Sequence, residues 1–193
     1  FVVSWFDQSS NSNDATQTNT AKQPKIVSSG AVIVENGKPA VEFDGSDDAL
    51  SLTSTTAANA VCQILVTVYD TSASSLKMPL GGTSFWQHYS SNRVRVRLSS
   101  GDLIYSTGLS NGTRYIGILN GTGSGYTIRQ NGTQKLTSGS TANWAIDTIG
   151  RGLNNNTYAF DNIIQEVVLY ESAQSAVNQA GIETNINTFY SIY

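Results

Sequence analysis

The longest regular pattern in the chain is an alternation of side chains over residues 61–69. The even-numbered positions of this stretch are uniformly apolar: Cys62, Ile64, Val66 and Val68. Successive side chains of a β-strand point to opposite faces, so a uniformly apolar set indicates a strand that packs against a core. The pattern therefore predicts a central strand of a sheet.

Two Asn-Gly pairs, Asn36-Gly37 and Asn131-Gly132, separate other alternating segments. Asn-Gly is a strong signal for a type I′ turn between two antiparallel strands, because both residues adopt positive φ with little strain. We predict that the first pair joins strands over residues 31–35 and 40–44. The second pair is predicted to join strands over residues 125–130 and 133–136.

Short alternating segments separated by turn residues continue along the chain. Further strands are predicted over residues 1–6, 25–27, 83–89, 93–98, 103–105, 114–119, 144–149 and 163–170, with an interruption at 78–82 and a flexible turn at 120–125. From Ser172, which suits an N-cap, apolar residues recur at near-helical spacing and predict a C-terminal helix. About a dozen short strands between turn signals are typical of an all-β sandwich.

Length and composition limit the architecture and the partners. The 193 residues are enough for one well-buried core, so we predict a single domain over residues 1–193. Charged residues make up only 13%, and abundant Ser, Thr, Asn and Gly are typical of an extracellular β-protein. The net charge of −3 gives no reason to expect nucleic acid, and no apolar run approaches the roughly 20 residues of a membrane span.

Neither end of the chain nor its cysteine content points to a particular compartment. Cys62 is the sole cysteine, which excludes an internal disulfide and predicts a buried, inert thiol. The segment from Phe1 has no basic end and no cleavage site, as expected of either a mature secreted chain or a fragment.

Several short segments are similar in sequence to the motifs of a known domain family. They are SWFDQSSNSNDAT (residues 4–16), QPK (23–25), NGKPAVEFDGSDD (36–48), FD (160–161), IQEVVLY (164–170) and NTFYSIY (187–193). In these residues the chain resembles the laminin G type of concanavalin A-like lectin and glucanase domains. The resemblance implies a concanavalin A-like β-sandwich, or jelly roll, of two antiparallel sheets with a short C-terminal helix. Such domains are common in secreted bacterial proteins and in bacteriophage tail or fibre proteins.

The third of these stretches ends in a turn that holds three carboxylates, Asp44, Asp47 and Asp48. Carboxylates this close in sequence need full solvation, backbone N–H donors or a cation. Domains of the resembled superfamily often hold a structural calcium ion, so calcium is one alternative here. Carboxylates capped by backbone N–H groups are the other, and no metal site is assigned.

Catalytic motifs are incomplete. Glu42, Asp44 and Asp47 approach the E-x-D-x-x-E motif of glucanases, but Asp replaces the last Glu and the Asp44-Gly45 turn would end the strand. His88 is the sole histidine, and no G-x-S-x-G segment accompanies it. The local motifs of polysaccharide lyases on similar sandwiches are also missing. We therefore predict that the chain is not an enzyme, with a polysaccharide-degrading enzyme as an alternative.

The most informative candidate site is the predicted hairpin over residues 85–97. In its second strand, alternation places Arg93, Arg95 and Arg97 on one face and valines on the other, so half of the six arginines form a ladder. Like charges side by side are unfavourable unless aromatic, amide or acidic groups, or a ligand, lie beside them. In the first strand, Trp86 and His88 share one face, and Phe85, Gln87 and Tyr89 share the other.

Aromatic rings beside guanidinium and amide donors suit sugar recognition, because a pyranose packs on a ring while the donors bind its hydroxyl or carboxylate groups. The predicted ligand-binding residues are Trp86, His88, Tyr89, Arg93, Arg95 and Arg97. Trp144 is a secondary candidate, together with Tyr158 and residues 154–156. The alternative is a solvated outer face with Trp86 in the core.

These observations together predict a non-catalytic recognition module that binds carbohydrate or a host receptor. The resemblance places it in a phage tail or fibre, or in a bacterial surface protein, and therefore outside the cell or on a virion surface. A structural or assembly domain that packs against copies of itself or other virion proteins is the alternative. Expected partners are a glycan or cell-surface receptor and further protein copies, with no nucleic acid and no membrane insertion.

Overall fold

A computed structural model describes residues 1–52, 58–70, 76–89, 92–152 and 158–193. In these residues the chain forms two antiparallel sheets packed face to face, with an α-helix near the C-terminus. This confirms the predicted all-β sandwich of two antiparallel sheets with a short C-terminal helix. Within the same residues, no helix has both the length and the apolar character needed to cross a bilayer.

The first sheet has eight strands in the described part of the chain. Across the sheet they are β1 (Ser4–Trp5), β2 (Ala15–Thr16), β8 (Leu50–Leu52), β17 (Thr148–Ile149), β10 (Lys77–Gly81), β11 (Phe85–Tyr89), β12 (Arg93–Arg97) and β13 (Asp102–Ser106). The first four strands in this order, β1, β2, β8 and β17, have two or three residues each. The last four, β10 to β13, have five residues each. The regular half of this sheet therefore begins at β10.

The second sheet has six strands in the described residues, and its middle is built from the longest ones. In order they are β16 (Thr133–Ser138), β15 (Tyr126–Gln130), β14 (Thr113–Thr122), β9 (Ala60–Tyr69), β18 (Ile163–Tyr170) and β7 (Val41–Glu42). β9 lies between β14 and β18, which confirms the central strand predicted from alternation. Two small hairpins complete the strands: β3 (Val27–Ser28) with β4 (Ala31–Val32), and β5 (Val34–Glu35) with β6 (Lys38–Pro39).

Both Asn-Gly turns form as predicted, but the strand that follows the first is β6, Lys38–Pro39, and not residues 40–44. Asn36 and Gly37 have φ of 51° and 73° between β5 and β6, and Asn131 and Gly132 have φ of 48° and 74° between β15 and β16. Positive φ at both central residues is the geometry that a type I′ turn requires, and its twist matches that of the flanking strands. These local signals are therefore sufficient to define both hairpins.

The core lies between the two sheets. Trp86 of β11 is fully buried there, and β14 accommodates its ring with a glycine. A Cβ atom on Gly117 would lie only 2.6 Å from Cζ2 of Trp86, so a larger residue at this position would push the two sheets apart. The Trp86 indole thus fills the space between β11 of the first sheet and β14 of the second.

Helix α1 (Ala176–Tyr190) covers the outer side of the second sheet. Its Ile186 and Tyr190 pack against a cluster that includes Cys62 and Ile64, so both sides of β9 are buried. The helix begins later than predicted, because Ser175 and not Ser172 is the N-cap; the Ser175 Oγ accepts the Asn178 N–H at 3.1 Å. Cys62 is a buried free thiol, as predicted.

Several predicted boundaries are wrong, and the strand expected over residues 1–6 is reduced to Ser4–Trp5. Residues 78–82 were expected to interrupt the sheet, but β10 runs through Pro79, which falls in a register shift against β11 where a missing N–H is tolerated. The turn expected at residues 120–125 begins later, because β14 continues to Thr122. The strand expected over residues 144–149 is reduced to β17 and an isolated bridge between Ala58 and Trp144.

Candidate ligand-binding face

The outward side of β11, β12 and β13 is a grid of nine side chains set by strand register. We call this grid the arginine face. Its rows across the three strands are Phe85–Arg97–Asp102, Gln87–Arg95–Ile104 and Tyr89–Arg93–Ser106. The opposite side of the same strands carries Trp86, His88, Val94 and Val96, all buried in the core. Helix α1 covers the outer side of the other sheet. On the arginine face Phe85 and Gln87 are buried, and the other seven side chains are partly buried or exposed.

Aromatic rings separate the arginines of this face. The guanidinium carbon of Arg95 lies 4.9 Å from the ring centroid of Phe85 and 5.3 Å from that of Tyr89, and Arg93 lies 5.0 Å from the Tyr89 ring. Attraction between a cation and the face of an aromatic ring offsets the mutual repulsion of the ladder. The rings thereby stabilise the guanidinium groups of Arg93 and Arg95 beside β11.

A single carboxylate of the grid serves two of the three arginines. Asp102 accepts a hydrogen bond from Arg97 at 3.1 Å, and its other oxygen lies 3.7 Å from Nη1 of Arg95. The nine side chains of the face therefore carry three positive charges and one negative charge. This excess favours an anionic ligand.

Gln87 and Arg95 have polar side-chain atoms without hydrogen-bond partners in the protein. Gln87 is fully buried on the outward side, and neither its Oε1 nor its Nε2 has a hydrogen-bond partner; the Nε of Arg95 has none either. A buried polar atom left without a partner costs about 1–3 kcal/mol. These atoms lie in the middle row of the arginine face, between Phe85 and Tyr89.

Trp86 and His88 belong to a buried network beneath this face. The Trp86 Nε1–H donates to the Tyr115 hydroxyl at 2.8 Å, His88 Nε2 lies 2.9 Å from the same oxygen, and the Asp70 N–H donates to His88 Nδ1 at 3.3 Å. Because Nδ1 accepts, the neutral ring carries its proton on Nε2. Burial lowers the pKa of His88 to about 3, although the Asp70 charge opposes this shift. Both side chains face the core, so they support the sheet and do not reach its outer surface.

The remaining predicted site residues are placed as follows. Arg93, Arg95 and Arg97 come together on the arginine face, as alternation predicted, and the pairing of β11 with β12 places Tyr89 beside them. Trp144 is separate from them, buried between the sheets with 3% of its surface exposed. Tyr158 is partly buried, and residues 154–156 lie outside the described residues.

Sequence reasoning did not select Phe85, Gln87 or Asp102 as site residues. Their signal was present: Gln87 alternates with the two aromatic residues of β11, and Asp102 follows Arg97 by the length of a tight turn. Pairing across β11, β12 and β13 was needed to place them beside the arginines.

The acidic turn is held together by backbone donors. Asp44 Oδ1 accepts the N–H of Ser46 at 2.8 Å and longer bonds from Asp47 and Asp48, and Asp48 Oδ2 accepts the Asp44 N–H at 3.1 Å. Carboxylate oxygens of the three aspartates lie within 4.8 Å of one another, a separation that a hard cation could bridge. Burial and the nearby Asp44 charge raise the pKa of Asp48. Backbone capping accounts for much of this cluster, and calcium stays an open alternative.

The glucanase-like spacing does not form a shared face of one strand. β7 ends at Glu42, and Asp44 and Asp47 belong to the turn that follows. Two-carboxylate glycosidase chemistry needs acids that flank one bond from a common site. The strand thus ends before Asp44, as the Asp44-Gly45 pair predicts, and these three acids do not meet that requirement.

Comparisons with known proteins identify the fold. No protein-family model and no curated protein matches the chain. Domain 4 of AbnA, a GH43 extracellular arabinanase from Geobacillus stearothermophilus solved with arabinotriose, matches with a TM-score of 0.62 and 15% identity over 84% of this chain and 86% of that one. A native heptameric SAP-like pentraxin from Limulus polyphemus matches with a TM-score of 0.61 and 10% identity, over 78% and 84% respectively.

An enzyme is also among the similar structures. Trypanosoma rangeli sialidase in complex with the inhibitor DANA matches with a TM-score of 0.63 and 10% identity, over 90% of this chain but only 29% of the sialidase. Such identities show the fold alone, which confirms the concanavalin A-like jelly roll. The sialidases contradict the prediction that the chain is not an enzyme, because a domain of this fold forms part of their chains. The fold therefore does not set this chain apart from enzymes.

Proposed function

We propose that this chain is a carbohydrate-binding domain that recognises acidic glycans on the arginine face. The observation that carries the proposal is the middle row of that face, where Gln87 and Arg95 keep unpartnered polar atoms between the rings of Phe85 and Tyr89. Support also comes from the AbnA domain of similar fold, which was solved with a bound arabinotriose.

The chemistry of the face matches a sugar that carries a carboxylate or sulfate. Guanidinium groups form paired hydrogen bonds with such anions, and the buried Nε–H of Arg95 has no hydrogen-bond partner within the protein. The amide of Gln87 can both donate to and accept from a sugar hydroxyl. The partly exposed ring of Tyr89 offers an apolar surface to the sugar ring. A neutral sugar would use the ring and the amide but not the charge.

The resemblance to laminin G-type domains suggests the setting. We place the chain as a single domain of a secreted or surface-exposed bacterial protein, or of a phage tail or fibre. A glycan or glycosylated receptor on a cell surface is then its partner. An acidic bacterial polysaccharide would meet the charge preference of the arginine face.

The test is a glycan array with acidic and neutral sugars, followed by calorimetric titration of the best binder. Arg95→Ala removes a charge-assisted contact, so we expect binding to an acidic glycan to weaken by about ten- to a hundredfold. Melting temperature should fall only modestly, because Arg95 loses a partly exposed 3.7 Å ion pair with Asp102 and two ring contacts, each of which is weak. Lys22→Ala is the control, since it also removes one positive charge but lies on the turn Thr20–Lys22, away from the face.

Two results would overturn the proposal. One is unchanged binding in Arg95→Ala, and the other is equal weakening in Lys22→Ala, which would reduce the effect to net charge. A further variant, Gln87→Met, removes an unpartnered buried amide while keeping its length. It should bind the glycan more weakly yet unfold at a higher temperature.

An assembly domain is the second candidate, and the exposed aromatic residues favour it. Phe1, Phe6 and Phe189 are 69%, 66% and 52% exposed. Large exposed apolar side chains such as these are found where a surface contacts another protein. Light scattering or sedimentation measures the solution mass. A monomer that binds glycan supports the first function, whereas a stable oligomer without glycan binding supports the second.

A further inference from the structure

A cleft opens at the side of the sandwich, and none of the nine side chains of the arginine face lines it. β18 pairs with β9 through most of its length, but β7 covers its other edge only at Ile163 and Ile164. Beyond these residues the edge of β18 borders a cleft of about 1480 Å³ that enters between the sheets and continues along α1. This volume is larger than the roughly 300–1,000 Å³ of most small-molecule sites.

The part of the cleft between the sheets has apolar walls. The first sheet and its neighbouring segment contribute Leu52, Ile146 and Ile149, and the second sheet contributes Val61, Val167 and Leu169. The four charged residues of the lining belong to the outer part of the cleft: Lys38 lies 4.0 Å over the Phe189 ring, and Asp7 accepts hydrogen bonds within its own loop. Glu166 interacts with the Tyr190 hydroxyl of α1, and Glu171 is exposed to solvent. The inner part therefore suits an uncharged, mostly hydrocarbon molecule.

Two buried polar groups interrupt these apolar walls, one from each side. Gln63 of β9 points toward the first sheet, and Trp144 lies on that opposite side; both line the cleft. Neither atom of the Gln63 amide has a hydrogen-bond partner, nor does Nε1 of Trp144, although these residues are only 1% and 3% exposed. An apolar residue would pack equally well at position 63 without the cost of a buried unpaired amide.

We infer that this cleft is a binding site for an elongated, uncharged apolar molecule that ends in a hydroxyl group. A hydroxyl offers one donor and two acceptor lone pairs. It can accept from the Trp144 N–H and from the Gln63 amide, and it can donate to the amide oxygen. A carboxylate lacks the donor, and burying its charge among apolar walls would be costly. This site is independent of the arginine face and does not rest on the proposed glycan binding.

The probe is 1-decanol, compared with 1-methoxydecane, which keeps the chain but lacks the O–H donor, and with decanoate, which adds a charge. Trp5 and Trp144 line the cleft, so tryptophan fluorescence reports binding directly. We expect 1-decanol to change the fluorescence and raise the melting temperature at pH 7.5. The ether and decanoate should bind at least tenfold more weakly.

Variants separate a specific site from general adsorption. Gln63→Leu should unfold at a higher temperature and lose the preference for the alcohol over the ether. Leu169, 42% exposed and paired with Gln63 across the strands, stands at the rim, so Leu169→Arg should abolish binding. Val32→Arg, at a residue 51% exposed in β4 and outside the cleft lining, is the matched control and should bind 1-decanol normally.

Three outcomes would overturn the inference. They are no response of the unmodified chain to 1-decanol up to its solubility limit, equal affinity for alcohol and ether, and a Gln63→Leu variant that keeps the alcohol preference. Urea unfolding of each variant shows that it is folded before binding is compared.

Discussion

The buried His88 gives the sharpest quantitative prediction, because its protonation should weaken the fold in weak acid. Burial lowers the pKa of His88 to about 3 in the folded chain, against about 6.5 for an unfolded one. Below pH 6.5, His88 therefore binds a proton in the unfolded chain but stays neutral in the folded chain until the pH approaches 3. The stabilisation is complete above pH 6.5 and is lost as the pH falls toward 3.

The magnitude follows from the separation of the two pKa values. Each pH unit between them lowers the free energy of unfolding by about 1.4 kcal/mol, so a change from pH 7.5 to 4.5 should remove about 3 kcal/mol. The structure explains why the ring resists protonation. A proton on Nδ1 would face the N–H of Asp70, and the Tyr115 oxygen near Nε2 already accepts from Trp86.

The assay is urea unfolding at pH 7.5 and pH 4.5 for the unmodified chain and for His88→Gln. Glutamine keeps a donor and an acceptor but does not titrate, and the carboxylates titrate in both proteins and cancel in the comparison. The unmodified chain should lose about 3 kcal/mol more than the variant on acidification. Equal losses would refute the reasoning, as would an NMR titration in which His88 of the folded chain protonates near pH 6.

Two other features give simple tests. Burial raises the pKa of Cys62 to about 12, so roughly one thiol in 10⁴ is ionised at pH 8. We therefore expect no reaction with Ellman's reagent until the chain is unfolded in urea. Rapid labelling of the folded chain would contradict the burial of Cys62. The pKa of Asp48 is raised by burial and by Asp44, so its charged form costs stability as the pH rises from acid. We therefore expect Asp48→Asn to melt at a higher temperature than the unmodified chain at pH 7.5 in chelator. This difference in melting temperature should disappear at pH 3. A variant that melts lower in chelator would contradict this, and a calcium-induced rise confined to the unmodified chain would place an ion at the acidic turn.

Several features of the fold could be predicted because their causes are local. Asn36-Gly37 and Asn131-Gly132 form hairpins since both residues tolerate positive φ, whatever surrounds them. The alternation of β9 could only be satisfied by a buried strand, and β9 is central. The outward direction of Arg93, Arg95 and Arg97 follows from the same period of two, because valines between them had to reach the core.

The face to which Trp86 and His88 point could not be assigned in this way. Both faces of β11 carry aromatic rings, so its own pattern does not say which one is inside. Register decides it: Trp86 pairs with Val96 and His88 with Val94, and a shift of one residue would have turned both toward solvent. The space left by Gly117 on the opposite sheet then accommodates the indole.

Packing between distant segments also determines which residues can act together. Gln63 and Trp144 are far apart in sequence and look like ordinary strand and core residues, yet they line one cleft with unpartnered polar atoms. Gln87 acquires its place beside Arg95 only through the pairing of β11 with β12. Turn chemistry and alternation act over a few residues and are written in the local sequence. A binding site depends on which side chains the two sheets bring within reach, and that follows from how the sheets pack.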